Sequence, residues 1–400
     1  VLAAGEGTRM RPLTYTRPKV MLPIANRPIL EHLISELKKA GIDEVILVVG
    51  YKDERVREYF GDGSRWDVRI SYATQRKQLG TADALKSASH LIEGDFIMLN
   101  GDNIVGSEDI RRIAESYCSI GVKEVSNPYD FGVVELDDGN VRRILEKPES
   151  PPSNLINAGI YHFPEEIIDI LDKTPLSKRG EYEITDTIQI AIDLGMKFRA
   201  IKIETWIDVG YPWDLLKANE FMLKKLDKTV IRGEIEDGAH IKGNVVIGDG
   251  TVVRSGSYII GPVIIGRNCV IGPNCFIRPY TSIGDNCHIG ACVEIKNSII
   301  MSNTNVPHLN YVGDSVIGEN CNLGAGTKIA NLRLDEKEIY TTIKGRKIST
   351  GRRKFGAIIG DNVKTGINVS INVGTIIGND VFIAPSARVE GYIEPNSRVF

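Results

Sequence analysis

At 400 residues with 42% hydrophobic side chains, the chain is long enough for two domains with substantial cores. Its 49 lysines and arginines against 52 aspartates and glutamates leave a formal charge of −3, which excludes a general nucleic-acid or membrane-surface binder. No apolar run approaches the roughly 18 residues of a membrane span, so neither a membrane nor a nucleic-acid partner is expected. With no visible signal peptide, a cytoplasmic location is the default; the chain opens inside an apparent strand at Val1-Leu2, so a few preceding residues are expected.

In chain order, Leu2-Ala3-Ala4-Gly5-Glu6-Gly7-Thr8-Arg9-Met10-Arg11-Pro12 follows that strand and precedes Arg17-Pro18-Lys19. Small residues after a strand let backbone N–H groups approach an anion, and Arg9 and Lys19 add charge suited to a nucleoside triphosphate. Neither GxGxxG nor the GxxxxGK[ST] pattern is present, so a structural turn with two surface cations is the competing reading. Pro28–Ala40, with Ile29, Leu30, Leu33, Ile34 and Leu37 on one face, predicts an amphipathic helix. Strands are predicted over 45–49, 96–100 and 132–136, giving a three-layer α/β domain with a largely parallel sheet. A last helix over 213–228 leads out. The boundary falls near 227–233, dividing the chain into domains 1–228 and 229–400.

Beyond it a branched aliphatic residue recurs every six positions from Ile235 to Ile295, resumes at Ile317, Leu323 and Ile329, and continues through Ile359, Ile371, Ile377, Ile383 and Val389. A fixed period of this length is the signature of a solenoid burying one continuous core. The pattern resembles hexapeptide-repeat proteins, which implies a left-handed parallel β-helix, a homotrimer and often acyl transfer. Cys269, Cys275, Cys287 and Cys321 each follow a repeat aliphatic by four positions, where small side chains point inward, so buried free thiols are favoured over disulfides. Cys269 and Cys287 are 18 apart, one coil, and are expected to stack. Two breaks in the period, 296–316 and 331–358, read as loops. The second carries Lys344, Arg346, Lys347, Arg352, Arg353 and Lys354, either a solvated surface or a dock for a phosphorylated cofactor.

The run LAAGEGTRMRPLT…RPKVMLP resembles the signature of sugar-1-phosphate nucleotidyltransferases, and further motifs follow in that family's order through residue 226. The resemblance implies that Leu2, Ala3, Ala4, Gly5, Gly7, Gln75, Gln78, Gly80 and Thr81 bind the nucleotide, and that Arg9 and Lys19 handle the reacting phosphates. It implies Gly132, Glu146, Lys147 and Asn157 for the sugar phosphate, and Asp102 and Asp208 for Mg2+, an ion suited to a few carboxylates plus phosphate oxygens. The segment Gln78–Leu85 (QLGTADAL) resembles the uridyltransferase form, whereas GTRMRPLT and WIDVG look more like thymidylyltransferases; one methyl separates UTP from dTTP, so use of both is expected.

In the second half, Arg278-Pro279-Tyr280, Val293–Lys296, HLNYVGD at 308–314 and NCNLGAGT at 320–327 resemble the acetyltransferase domain of the bifunctional N-acetylglucosamine-1-phosphate uridyltransferase/glucosamine-1-phosphate acetyltransferase family, in its archaeal-like form. The α/β, Rossmann-like first half followed by a β-helix is that family's architecture. An ammonium must lose a proton before attacking the thioester of acetyl-CoA, and histidine suits that task near neutrality. The resemblance implies His308 as that base, set in the first repeat-breaking loop. Arg278, Lys296, Tyr311, Asn322, Asn331 and Lys337 would hold the amino sugar phosphate, and Ala325 would touch acetyl-CoA. The 331–355 stretch is longer than in the usual bacterial enzyme, which leaves glucosamine- and galactosamine-1-phosphate both open as acceptors. A monofunctional hexose-1-phosphate nucleotidyltransferase with a structural or regulatory β-helix is the rival, and a catalytically dead scaffold a second.

Overall fold

A computed structural model describes residues 1–400. By internal contacts the chain forms two compact units: Val1–Glu6, Pro18–Met21 and Ile29–Asp208 in one, and Gly7–Arg17, Leu22–Pro28 and Val209–Phe400 in the other.

In the first unit, strand Glu44–Val49 runs parallel to Arg69–Thr74, and Leu2 bridges in parallel to both Val48 and Asn100. From strand Phe96–Leu99 the sheet continues through Leu155–Phe163, Ser119–Glu124, Arg199–Lys202 and Asn140–Glu146 to Gly132–Asp137. Of these later pairings only Arg199–Lys202 with Ser119–Glu124 is parallel. The sheet is therefore mixed, not largely parallel as expected. One reason is local: Asp138 and Gly139, both at positive φ, close a two-residue hairpin between Gly132–Asp137 and Asn140–Glu146. Asp-Gly is the pair such a turn favours, and it forces antiparallel pairing. The amphipathic stretch forms helix Ile29–Lys39, with Ile29 buried and Leu30, Leu33, Ile34 and Leu37 buried against one sheet face. A second core, built on Ile120, Val122, Tyr161, Phe163 and Phe198, lies with helix Ile184–Asp193.

The second unit is a parallel β-helix of three faces with nine, nine and eight strands. Its core is the repeat itself: Ile265, Ile271, Ile277, Ile283, Ile289 and Ile295 are all buried in one cluster with the later repeat aliphatics. At the corners Asn268, Asn274, Asn286, Asn303 and Asn320 adopt φ between 53° and 61°. Asparagine reaches this left-handed region more readily than other side chains. Asn268 and Asn286 also donate to the next corner's Asn at 3.4 and 3.1 Å.

The 296–316 segment is not a loop. Ile300, Val306 and Val312 continue the buried ladder, paired with Ile283, Ile289 and Ile295 of the preceding coil. The period fails because the turns between Ile295 and Ile300 and between Val312 and Ile317 are each one residue short, their left-handed corner residues being Asn297 and Asp314. A coil of 17 residues replaces one of 18, so a strict six-residue frame loses the pattern although the fold keeps it. The second break is a true excursion. After strand Lys328–Ile329 the chain forms an antiparallel hairpin, Tyr340–Ile343 with Arg346–Ser349, and re-enters at Ala357–Ile359 beside Val316–Ile317.

The helix expected over 213–228 spans only Asp214–Leu223. Its Asn219, fully buried, accepts from Ala25 N and Ser282 Oγ and donates to Tyr280 O. All six cysteines are free, and Cys269, Cys275, Cys287 and Cys321 are buried as expected. Cys287 N approaches Cys269 Sγ at 3.5 Å, so the two stack. Burial pushes the Cys321 thiol up to about 12, which makes it inert at neutral pH. No helix is long and apolar enough to cross a membrane.

Candidate active sites

In the first unit the opening segment lies between two strands, with Leu2 bridging to both sides. Leu2 N donates to Leu99 O, Ala3 N to Val48 O, and Gly101 N to Leu2 O, each at 2.8 Å. Gly101 is required there, because a Cβ would stand 2.8 Å from Leu2 O. This anchoring brings the buried Lys19 to Asp102, with Nζ 2.5 Å from Oδ2. Asp208 ends strand Trp206–Asp208, which pairs antiparallel with Asn103–Val105 so that Asp208 stands opposite Asn103, next to Asp102. Nowhere do three or more His, Cys, Asp or Glu side chains cluster as a metal cage. Two carboxylates at adjoining strand ends fit a cation that takes its remaining ligands from phosphate and water. Gly7 and Arg9 belong by contacts to the other unit; Gly7, at φ 67°, starts the 3-10 turn Thr8–Met10.

Gln75 is buried, and its amide donates to Gly80 O at 3.0 Å and Asp83 Oδ2 at 2.8 Å. Both amide hydrogens are thus committed to shaping the loop, whereas Gln78 is exposed. Gly50 lies under this loop: a Cβ there would meet Gln78 Nε2 at 2.8 Å and Ala4 Cβ at 3.1 Å. Thr81 opens helix Thr81–Ala88, and its hydroxyl accepts from Ile184 N at 2.9 Å.

Of the residues expected to hold the sugar phosphate, Gly132 and Glu146 face each other across the hairpin. Lys147 follows at φ 44°, its N–H donating to Phe131 O. Asn157 sits at an irregularity in strand Leu155–Phe163, donating to Tyr161 Oη at 2.6 Å and accepting from Gly159 N at 3.1 Å. Two residues here were absent from the sequence-based set. Arg179 Nη1 lies 3.1 Å from Glu146 Oε1 and 3.2 Å from Glu183 Oε1. Burial raises the Glu146 carboxyl and pushes Glu183 up to about 7; Arg179 opposes the latter shift and Glu146 reinforces it. Arg179 is a loop cation with no periodic signal.

In the β-helix, register does the assembling. Phe276, Glu294, Tyr311 and Lys328 stack in successive coils of the third face, and Arg278 Nη1 binds Glu294 Oε1 at 2.8 Å. Lys296 and Asn331 converge on Asp314, with Nζ and Nδ2 at 3.2 and 2.5 Å from Oδ2. Asn297 donates to its other oxygen at 2.7 Å, and Arg352 lies 3.9 Å from it. Asp314, only 3% exposed, is thus the hub of the site, and the sequence reading gave it no role. Burial raises the Tyr311 phenol, and the nearby Glu294 and Asp314 charges add to it.

His308 is exposed at the end of strand Asn305–His308, opposite Ala291, and is therefore not loop-borne as expected. Gly326 N donates to His308 O, which sets Ala325 beside it in the next coil. Asn322 is exposed on the same face, in register with Asn305. Lys337 is exposed in the excursion, its N–H donating to Asp335 at 3.3 Å, and it touches none of the other candidates. The six-cation cluster is divided: Lys344, Arg346 and Lys347 are exposed on the hairpin, Lys354 is exposed beyond it, Arg353 pairs with Glu336, and Arg352 turns inward to Asp314.

Residues 1–225 match the family model described as nucleotidyl transferase, and residues 259–355 that described as the GMPPB C-terminal domain. The chain is 44% identical over 402 residues to the bifunctional protein GlmU of Methanocaldococcus jannaschii, covering 100% of this chain and 96% of that one. It is 45% identical over 400 residues to a bifunctional sugar-1-phosphate nucleotidylyltransferase/acetyltransferase of Sulfurisphaera tokodaii, covering 97% and 96%. Among solved structures, a putative glucose-1-phosphate thymidylyltransferase from Bacillus anthracis, in complex with a sucrose, is similar with a TM-score of 0.51 at 28% identity, over 55% of this chain and 92% of that one.

Proposed function

The chain belongs to the bifunctional sugar-1-phosphate nucleotidylyltransferase/acetyltransferase family, and from that premise we propose that it acetylates glucosamine-1-phosphate and then couples the product to UTP. Nucleotidyl transfer is assigned to domain 1–228 and acetyl transfer to domain 229–400. The observation that carries the reading is the Asp314-centred set, in which Lys296, Asn297, Asn331 and Arg352 hold one buried carboxylate next to Tyr311. A β-helix used only for assembly needs no such concentration of ordered charge.

In the acetyl step His308 takes a proton from the ammonium, and the freed amine attacks the thioester carbonyl. The C–S bond breaks, and CoA leaves as a thiolate that is then protonated. Arg278 and Lys296 hold the phosphate, Tyr311, Asn322 and Asn331 orient the sugar, and Ala325 lines the acetyl-CoA arm. Lys337 reaches a phosphate of a neighbouring subunit in a homotrimer, the assembly that a three-sided prism favours.

In the nucleotidyl step a sugar-phosphate oxygen attacks the α-phosphorus in line and pyrophosphate departs. The protein's part is positioning and charge neutralisation. Lys19 and Arg9 neutralise the phosphates, while Leu2–Gly5, Gly7 and the Gln78–Thr81 loop seat the nucleotide. Gly132, Glu146, Lys147 and Asn157 hold the sugar phosphate. Asp102 and Asp208 would hold Mg2+, which when bound screens the triphosphate charge. With only a methyl between the bases, dTTP is accepted as well, and glucose-1-phosphate and galactosamine-1-phosphate are secondary substrates. Acetyl-CoA and nucleoside triphosphates are metabolites of the cytoplasm, where we place the enzyme.

Free-CoA release from acetyl-CoA with glucosamine- or galactosamine-1-phosphate, followed by pyrophosphate release on adding UTP and Mg2+, tests both halves. No CoA release with either acceptor, from protein that still makes nucleotide sugar, refutes the second activity.

A further inference from the structure

The segment Gly7–Arg17, which contains Arg9, groups by contacts with the β-helix unit, and two separate devices hold it there. The first is ionic. Arg17, 6% exposed, donates through Nη2 to Asp361 Oδ2 at 2.6 Å and through Nη1 to Glu319 Oε1 at 2.9 Å. Nη1 also lies 3.3 Å from Met301 Sδ, and Thr16 Oγ1 donates to the same Asp361 oxygen. Asp361's other oxygen accepts from Glu319 N at 2.8 Å, so the carboxylate is held from the coil side as well as by Arg17. Met301, Glu319 and Asp361 follow, respectively, the first-face strands Ile299–Ile300, Val316–Ile317 and Ala357–Ile359, which pair in order. One guanidinium therefore spans three successive coils.

The second device is aromatic. Arg9 lies over the Tyr211 ring at 5.2 Å, Tyr211 stacks on Trp213 at 4.8 Å and 4°, and Trp213 packs edge-on against Phe355 at 6.1 Å. Phe355 is fully buried where the chain returns from its excursion into the β-helix. Within the coils Asp361 Oδ1 accepts from Glu319 N, as Asp285 Oδ1 accepts from Arg267 N, a contact that a neutral amide oxygen could also make. Burying the Asp361 charge is costly unless a cation offsets it, and the cation comes from the nucleotidyltransferase signature, two residues before Lys19, with the half-exposed Glu319 sharing it.

We propose that the β-helix is a working part of nucleotidyl transfer, with Asp361 and Glu319 acting as positioning residues that set Arg17 and, through the chain, Arg9 and Lys19. The inference rests on the nucleotidyltransferase reading. It gives the acetyltransferase fold a task in the other reaction, independent of acetyl chemistry.

The test uses the full chain and two assays, pyrophosphate release with UTP, Mg2+ and N-acetylglucosamine-1-phosphate, and CoA release with glucosamine-1-phosphate. Asp361→Asn and Arg17→Gln should each lower kcat for pyrophosphate release by about ten- to a hundredfold, the scale of a catalytic group displaced by a fraction of an ångström, with CoA release within about twofold of the parent. The double variant should be no worse than the poorer single one, because both remove one interaction. Arg17→Lys should recover part of the Arg17→Gln loss, and Tyr211→Leu should weaken pyrophosphate release alone. Pyrophosphate release that stays within about twofold in Asp361→Asn overturns the proposal, and so does a parallel fall of both activities with the melting temperature. If either variant cannot be purified, Glu319→Gln, at the more exposed edge, decides: about a threefold selective loss supports the proposal and an unchanged kcat sinks it. A parent that releases CoA but no pyrophosphate would instead remove the nucleotidyltransferase reading on which the proposal stands.

Discussion

In the first unit, Lys19, Asp102 and Asp208 come from three distant stretches of chain, and their neighbourhood depends on which strands pair: Leu2 with Asn100, and Asp208 with Asn103. In the β-helix, Glu294, Tyr311 and Lys328 become neighbours because each stands one coil beyond the last. A site of the first kind requires several separate segments to arrive together. A site of the second kind is set by register, so a turn shortened by one residue moves every later side chain yet leaves its stacking partner unchanged. The two short turns before Ile300 and Ile317 show this: the ladder continues through them without a gap.

If the two sites are independent in chemistry, the sharpest break comes from His308→Ala. Acetyl transfer should fall by about a thousandfold, the worth of a general base, with pyrophosphate release unchanged in a paired assay. Loss of both activities would mean misfolding and would erase the distinction. Asp102→Asn is the mirror experiment, expected to lower magnesium-dependent pyrophosphate release by at least about a hundredfold while CoA release persists.

A smaller effect sharpens the idea of a register-built hub. Asp314→Asn leaves the Lys296 and Arg352 cations without their buried carboxylate, so stability should fall by about 3 kcal/mol in thermal or denaturant unfolding, and the KM for the amino sugar phosphate should rise. An unfolding midpoint that does not move would show that the cluster is not organised around Asp314. The least effect is expected at Glu183. Glu183, pushed up to about 7 mainly by burial, retains a proton in the folded protein that the unfolded chain releases near the ordinary glutamate value of 4.5. The unfolded state then binds fewer protons, so this group's contribution is present below about pH 4.5 and is lost as pH rises through about 7. Glu183→Gln should therefore flatten the fall in stability between pH 5 and pH 8, measured by denaturant midpoint at each pH.

Much of the β-helix site could be read from spacing. Cys269 and Cys287, 18 apart, do stack, and the aliphatic ladder marks the core from Ile265 to Ile295. Where spacing failed, it failed by a single residue per turn, which is why 296–316 passed for a loop and His308 for a loop residue. In the first unit the order of motifs was legible, and so was helix Ile29–Lys39, whose buried face follows its periodicity. The antiparallel part of the sheet was not, because the Asp138-Gly139 turn is only two residues within a polar stretch. Arg179 also escaped notice, since a lone loop cation carries no pattern until the elements around it are folded.

Residue order alone sufficed for the two-part architecture, the repeat and the family's ordered motifs, because periodicity and local turn preference are properties of neighbouring residues. Only the folded chain decided that Asp314 is a hub, that Arg352 alone of the basic cluster turns inward to it, and that Arg17 of the opening signature belongs to the β-helix. The Arg17 and Arg352 pairings join charges beyond the reach of one coil, and the penalty for burying a charge is met only when a partner arrives through the fold.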